Sequence, residues 1–372
     1  MFAFLLSTTF SANWLSTSGN KIVDGSGSQV KLQGLNWFGF ETSVGCFHGL
    51  WAANLHDMVS EVAKRGFNVF RVPVSADLLH TWLDKKPEVP SSMNPQVNPD
   101  LDGLTNREIF DLFLVDCKKE GLKVFIDVHG IAPDSYTDAL WGTPEYLYKA
   151  VEFFADAYKD DDTVIGIDIK NEPHGECGSS SGATWDSSTT DNNWHYVSLT
   201  AANRILAKNP NLLILVEGIA CYKGPRGQDN GWWGGVLSFV KDLPLDLGKY
   251  QNKLVYSPHE YGPSVFDQSW FQGDFTYDSL YNDHWKDSWM FIHEDGIAPL
   301  LIGEWGGHIQ GTNTKWMQFM VQLIQKNSLG HTFWCLNPNS GDTGGLINGD
   351  WLTWDEEKYD LIKPAVSGKL FK

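Results

Sequence analysis

The chain has 372 residues, 42% of them hydrophobic, and a formal net charge of −18. So acidic a chain repels nucleic acid and anionic membrane, and no run approaches the ~20 apolar residues of a bilayer crossing. A neutral ligand meets no such barrier, and 17 Trp beside 21 Phe and 12 Tyr suit both a core and a surface that stacks on flat, weakly polar rings.

Residues 1–12 (MFAFLLSTTFSA) hold a short apolar stretch without a basic flank, which reads as the stub of a secretory signal or as a frayed terminus. Between 14 and 34, two short β-type pieces flank Asp24-Gly25-Ser26-Gly27, a hairpin signal ahead of the main fold. Eight β-rich runs follow, at 31–40, 68–74, 122–129, 164–172, 211–218, 253–261, 299–305 and 331–338. Amphipathic helical patterns separate many of them, for example at 54–65, 106–120, 144–158, 192–208 and 315–325. Eight alternations predict a (β/α)8 barrel, an α/β fold of parallel strands with right-handed crossovers, here with a short N-terminal β-hairpin and long loops after the strands. Without a linker or an appended module, residues 1–372 read as one domain.

The run VIGIDIKNEP at 164–173 carries the most information. Alternation places Ile165, Ile167 and Ile169 on one face and Asp168, Lys170 and Glu172 on the other. Pro173 disfavours a helical Glu172 and predicts an extended backbone there. The polar face needs a polar enclosure, such as the middle of a barrel beneath its active end. The five cysteines, Cys46, Cys117, Cys177, Cys221 and Cys335, form no CxxC pair and are odd in number, which predicts few or no disulfides.

Barrel enzymes work at the C-terminal ends of their strands. Those ends supply Arg71, His129, Asn171, Glu172, Glu217, His259, Tyr261, Glu304 and Trp334. Two carboxylates facing one another across such a mouth are the layout for hydrolysing a glycosidic bond, one as proton donor and one as nucleophile. Pattern alone does not choose the pair among Glu172, Glu217, Glu260 and Glu304. Glu260 has the wrong parity beside His259 and Tyr261 and should point away. Glu217 shares its parity with Leu213 and Leu215 and reads as a buried support. Asp127, Asp168 and Lys170 read as a polar network beneath the site. A metal centre lacks the clustered His and Asp ligands it would need.

In order along the chain come Arg-Val-Pro at 71–73, DVH ending at His129, NEP at 171–173, HEY at 259–261, GEW at 303–305 and Trp334. This ordered set resembles glycoside hydrolase family 5, and the stretches NWFGFET, FHGLW, WWGG and NPNSGDTGG resemble its endoglucanase branch. The resemblance implies Glu172 as general acid/base and Glu304 as nucleophile, with Arg71 and Tyr261 bonded to the nucleophile. It implies Asn171 on the 2-hydroxyl, His129 and His259 flanking the same sugar, Trp334 beneath it, and a cis peptide at Trp334–Cys335. His48, Trp37, Trp232 and Trp233 are further candidate sugar-binding positions.

The function implied is a secreted, monomeric, retaining endo-β-1,4-glucanase that needs neither cofactor nor metal. Its partner is a β-1,4-glucan chain rather than nucleic acid or membrane. The alternatives are the same chemistry on β-mannan, xyloglucan or mixed-linkage glucan, and a barrel that binds glucan without cutting it. One departure stands out: the loop after the third strand has no Cys and the next has only Cys177, which puts the loop disulfides of secreted relatives, and the secreted address, in question.

Overall fold

The computed structural model describes residues 13–225 and 227–371, so the candidate signal stub at 1–12 lies outside the described residues. Strands β1 (Ser16–Ser18) and β2 (Lys21–Val23) pair antiparallel across the Gly19-Asn20 turn. The hairpin turn is therefore this one, where Gly19 supplies a positive φ of 56°. The predicted Asp24–Gly27 turn closes with a single bridge, Val23 to Gln29. Leu15 and Ile22 of the hairpin pack with Leu32, Val69, Phe125 and Leu213 in an apolar cluster. Because these strand residues lie toward the N-terminal ends of their strands, the hairpin plugs the bottom of the barrel.

All eight predicted runs contain a strand: β3 (Gln33–Asn36), β4 (Val69–Ser75), β5 (Lys123–Gly130), β6 (Val164–Asp168), β7 (Leu213–Glu217), then, after a small antiparallel hairpin of β8 (Cys221–Gly224) and β9 (Gly227–Asn230), β10 (Leu254–Ser257), β11 (Leu301–Ile302) and β12 (Gly330–Phe333). They form one parallel sheet in the order β10-β7-β6-β5-β4-β3-β12-β11. Parallel bridges from Tyr256 to Leu300 and from His259 to Glu304 join its two ends into a barrel.

Helices α1 (Leu55–Lys64), α2 (Ala76–Leu83), α3 (Asn106–Glu120), α4 (Pro144–Ala157) and α5 (Trp194–Lys208) cover the first half. The second half carries α6 (Tyr277–Leu280), a π-helical segment at Tyr281–Met290, α7 (Phe291–Glu294), α8 (Gly311–Asn327) and α9 (Glu356–Ile362). Local chemistry sets the ends. Asn54 caps α1 through its side chain, Thr105 and Glu108 form a reciprocal capping box on α3, and Gly121 ends that helix at φ 78°.

In β6, Val164 pairs with Val124 but Gly166 pairs with Phe125, so Ile165 is the extra residue of a bulge. Ile165 turns into the barrel floor while Ile167 and Ile169 pack among the helices. The three isoleucines do not share a face as strict alternation predicts. The added residue resets the parity, and so both Ile165 and Asp168 point inward.

Of the few or no disulfides expected, one forms among the described residues. Cys177, in the loop after β6, is bonded to Cys221 of β8, with Cα atoms 5.5 Å apart. Adjacent barrel strands bring the two loops side by side, which their 44-residue separation in sequence does not reveal. Cys46, Cys117 and Cys335 are free and buried. Thiol titration of the denatured, unreduced protein should therefore count three thiols, and five after reduction; five before reduction contradicts the pairing.

Candidate active site

Above the apolar floor, the barrel interior turns charged. The Arg71 guanidinium, on β4 and fully buried, donates to Asp168 from Nε (3.2 Å), to Glu304 Oε1 and Asn36 Oδ1 from Nη1 (2.7 and 3.0 Å), and to Asn171 Oδ1 and Glu217 Oε1 from Nη2 (3.0 and 3.0 Å). Asp127 Oδ1 lies 3.3 Å from Nη1. The planar fork of arginine suits such a hub, since it offers five fixed donors.

Glu304 follows β11. Its other oxygen accepts the Tyr261 hydroxyl at 2.6 Å. Burial pushes this carboxyl up, but His259, Arg71 and His129 together with the Tyr261 bond outweigh it, and its pKa ends below the ordinary value. Glu172 goes the other way. Burial raises its pKa, the hydrogen bond shared with His259 Nδ1 (3.0 Å) opposes this, and the charge of Glu304 adds to the rise. An oxygen of Glu172 and an oxygen of Glu304 lie within 4.8 Å of one another.

Glu172 has a φ of +48°, so the extended backbone expected before Pro173 is not what forms. Proline excludes the right-handed helical region, and the left-handed alternative is held by a bond from the Glu172 N–H to Glu217 Oε2 at 2.6 Å. Glu217 thus braces the backbone of Glu172 with one oxygen and Arg71 with the other. Gly234 packs against this brace. A Cβ there would stand 2.4 Å from Glu217 Oε2, and its φ is +70°.

His259 is buried between the carboxylates, with Nε2 3.2 Å from Glu217 Oε1 and Nδ1 3.6 Å from Glu304 Oε2. Burial alone would lower its pKa, but Glu217 and Glu304 raise it well above the ordinary value. His129 donates from Nδ1 to Asp127 at 2.7 Å, and its pKa is likewise raised by Asp127 against burial. Lys170 donates only to backbone carbonyls, those of His129, Asp138 and Asn171. The triads Glu172–His259–Glu304 and Asp168–Glu217–His259 have the spacing of metal ligands. Arg71 already bonds Glu304, Asp168 and Glu217, so the cation that these carboxylates need is built into the chain.

These groups open into a cleft of about 900 Å³. His129, Asn171, Glu172, Tyr261, Glu304, Trp334, His48, Trp232 and Trp233 all line it. Trp334 lies nearly parallel to the rings of Phe38 and His129, at ring distances of 5.6 and 5.5 Å, and its peptide to Cys335 is cis as expected. His48 is held by Thr42 and Asn339. Trp233 is 44% exposed and lies flat on His174 at 3.6 Å, whereas Trp232 is nearly buried.

Trp37 is the exception. It is 1% exposed, stacks on Phe47 at 4.1 Å and gives its N–H to the His48 carbonyl, so it supports His48 from the core rather than facing the cleft. Alternation accounts for this: Asn36 faces Arg71 inside the barrel, Trp37 turns outward into the core, and Phe38 faces the cleft. Tyr136, Phe266, Asn339 and Asp342 line the cleft unforeseen, because they sit on loops without periodicity. Glu41 also lines it; burial raises its pKa to about 7.

A closed parallel barrel with one carboxyl of lowered and another of raised proton affinity at the mouth of a cleft is the machinery of a glycoside hydrolase. The chain belongs to the cellulase family, glycosyl hydrolase family 5, whose model matches residues 23–340. It is 44% identical to Endoglucanase G of Acetivibrio thermocellus over 95% of this chain and 71% of that protein, and 39% identical to an endoglucanase of Paenibacillus polymyxa over 94% and 87%. Among solved structures, it matches the endocellulase of Pyrococcus horikoshii, known in complex with cellotetraose, at a TM-score of 0.87 and 31% identity over 96% of this chain and 99% of that one. The catalytic domain of the major endoglucanase of Xanthomonas campestris matches at a TM-score of 0.85 and 32% identity, over 94% and 99%.

Gly234→Ala should lower kcat by at least about tenfold, because the added methyl displaces Glu217 and with it the Glu172 backbone. Steady-state rates on a chromogenic glycoside, together with a melting curve, check this; an unchanged kcat contradicts the brace.

Proposed function

We propose that the protein is an endo-β-1,4-glucanase that hydrolyses internal bonds of a glucan chain with net retention of anomeric configuration. The observation that carries this reading is the pair Glu172 and Glu304, whose oxygens lie within 4.8 Å and whose proton affinities are pushed apart. Retaining enzymes set their carboxyl groups ~5–5.5 Å apart, and inverting ones leave room for a water at ~6.5–9.5 Å.

In the first step a Glu304 oxygen bonds to the anomeric carbon as the bond to the leaving oxygen breaks, and Glu172 gives that oxygen its proton. The negative charge of Glu304 is then lost to the ester. The proton affinity of Glu172, raised in part by that charge, falls, and Glu172 can take a proton from the incoming water. The water oxygen bonds to the anomeric carbon, and Glu304 leaves as carboxylate. Arg71 and Tyr261 hold both Glu304 oxygens. The Asn171 carbonyl accepts from Arg71, and its amide, 3.5 Å from His129 Nε2, has a second N–H for the sugar 2-hydroxyl. Trp334 is the platform beneath that sugar, beside His129, and His48 extends the same wall.

Because Glu172 must reach the leaving oxygen, Trp232 and Trp233, next to it, receive the leaving sugars. Internal cleavage is the reading favoured by relatives named endoglucanases. The cellotetraose of the Pyrococcus relative is consistent with a β-1,4-glucan ligand. Secretion is supported by the Cys177–Cys221 disulfide and by the extracellular endoglucanase of Xanthomonas.

Glu172→Gln should cost ~10²–10⁴ in rate on soluble cellulose derivatives, the usual worth of a positioned acid/base. Glu304→Gln should cost at least as much; near wild-type rates in either end the assignment. Activity should fall at low pH as Glu304, held below the ordinary carboxyl range, takes up a proton. It should fall at high pH as Glu172, held above that range, loses one. The alkaline limb should disappear in Glu172→Gln. Proton NMR of the first products should show the β-anomer, and an initial α-anomer rejects retention. A panel of glucan, mannan and xyloglucan fixes the substrate.

A further inference from the structure

Glu260 stands between two site residues, His259 and Tyr261, yet points away from them. It is fully buried, and three N–H donors converge on it: Trp232 Nε1 on one oxygen at 3.2 Å, His284 Nε2 and Trp289 Nε1 on the other at 2.9 and 3.4 Å. Trp232 belongs to the cleft wall. His284 and Trp289 both belong to the π-helical segment Tyr281–Met290. Residues five apart lie ~140° apart around an α-helix and cannot share a target. Hydrogen bonding from i to i+5 widens the turn and brings them to one face. The π segment is therefore what allows two of its residues to bond one carboxylate.

The same segment holds the loop that carries Trp232 and Trp233. The Ser288 carbonyl accepts the Leu237 N–H at 3.1 Å, and the Ser288 hydroxyl reaches the Gly235 carbonyl at 3.5 Å. The His284 ring is itself fixed by stacking on Trp270 at 3.8 Å. Between these anchors the loop returns to the active centre, where the Gly234 carbonyl accepts from the N–H groups of Gly218 and His259.

We propose that Glu260, gathered by the π-helical segment, is a positioning residue for the leaving-group side of the cleft: it fixes the Trp232 side chain, and through it the adjacent, exposed Trp233 platform, while Gly234 keeps its own backbone bonds to Gly218 and His259. The inference rests on the reading that Trp232 and Trp233 receive the leaving sugars. Its consequence is selective. A change at Glu260 weakens binding of substrates that extend past Glu172 toward Trp233 and leaves the chemistry at Glu172 and Glu304 largely intact.

Glu260→Gln is the sharp variant. A glutamine keeps the shape but replaces one acceptor oxygen by a donating amide, so at least one of the three N–H groups then faces another N–H. The KM for cellohexaose should rise about tenfold, the worth of one hydrogen bond to a charged group, with kcat changed less than about threefold. 4-Nitrophenyl cellobioside, whose leaving group is a single ring, should keep kcat/KM within about threefold of the wild type. Glu260→Gln/Trp233→Ala should be no worse on cellohexaose than Trp233→Ala alone, because both act at one platform. Equal losses on the two substrates, or an unchanged KM for cellohexaose, overturn the proposal.

Should Glu260→Gln not fold, His284→Leu removes one donor and His284→Gln restores it. A cellohexaose-selective loss in the first that is rescued in the second supports the same conclusion, and two identical variants refute it. If the wild type cleaves neither substrate, the endoglucanase reading has failed; tryptophan fluorescence titration with cellohexaose still tests whether Glu260→Gln weakens binding.

Discussion

The site depends on one buried cation. Arg71 has no contact with solvent and touches Asp127, Asp168, Glu217 and Glu304 at 2.7 to 3.3 Å. Removing an ion from water to a protein interior costs several kcal/mol, and breaking a buried pair by deleting one member costs ~3–5 kcal/mol because the other is left uncompensated. Each of these acids is tolerable only because the guanidinium is there, and the guanidinium only because of them. Its attraction does not act equally on all. Burial and the neighbouring Glu217 raise the pKa of Asp168 well above its ordinary value despite Arg71, whereas Glu304, bonded also by Tyr261 and facing two histidines, is held low. The network thus favours the charged form of Asp127 and of Glu304, the nucleophile of the proposed reaction, over that of Asp168. A lysine, with one charge centre and no planar fork, cannot serve five acceptors at once.

Much of this was legible in the sequence because it follows from period and punctuation. The eight strands and the inward parity of His129, His259 and Tyr261 are consequences of local pattern, and the parity of Glu217 and Glu260 correctly separated a buried support from an outward residue. What was missed is non-local or breaks the period. The bulge at Ile165 depends on pairing with β5. The Cys177–Cys221 bond depends on two loops meeting above neighbouring strands. The left-handed Glu172 depends on Glu217, 45 residues away. Trp37 was read as a sugar contact because it sits among cleft residues in sequence, but one residue of alternation separates it from them. No local signal marks the π-helical segment, whose ends continue directly into α6 and α7.

The fold therefore divides labour by parity at the rim of the barrel. Of three consecutive residues after β10, the first reaches Glu172, the second binds the outer shell and the third bonds Glu304. The same strand extension that delivers the reactive groups thus also anchors the wall beside them, and the barrel closes at this point through the His259–Glu304 bridge and the bond from the Glu260 N–H to the Glu304 carbonyl. The positions of Glu172 and Glu304 and the closure of the sheet are not independent features here.

This arrangement also reconciles a strongly acidic chain with a cleft that must grip a neutral polymer. The charged network lies beneath the floor of the cleft, where low dielectric magnifies each interaction and keeps the two carboxyls apart in proton affinity. Above it the cleft wall carries the aromatic and hydroxyl side chains of Phe38, Trp334, Trp233, Phe266, Ser340 and Tyr136, beside the acids Glu41, Asp134 and Asp342. Stacking on such surfaces gains free energy from area and shape with little change in local charge. Binding a long chain can therefore be adjusted along the cleft without altering the electrostatic balance on which the reaction relies, and the −18 net charge, which excludes polyanions, imposes no penalty on an uncharged glucan.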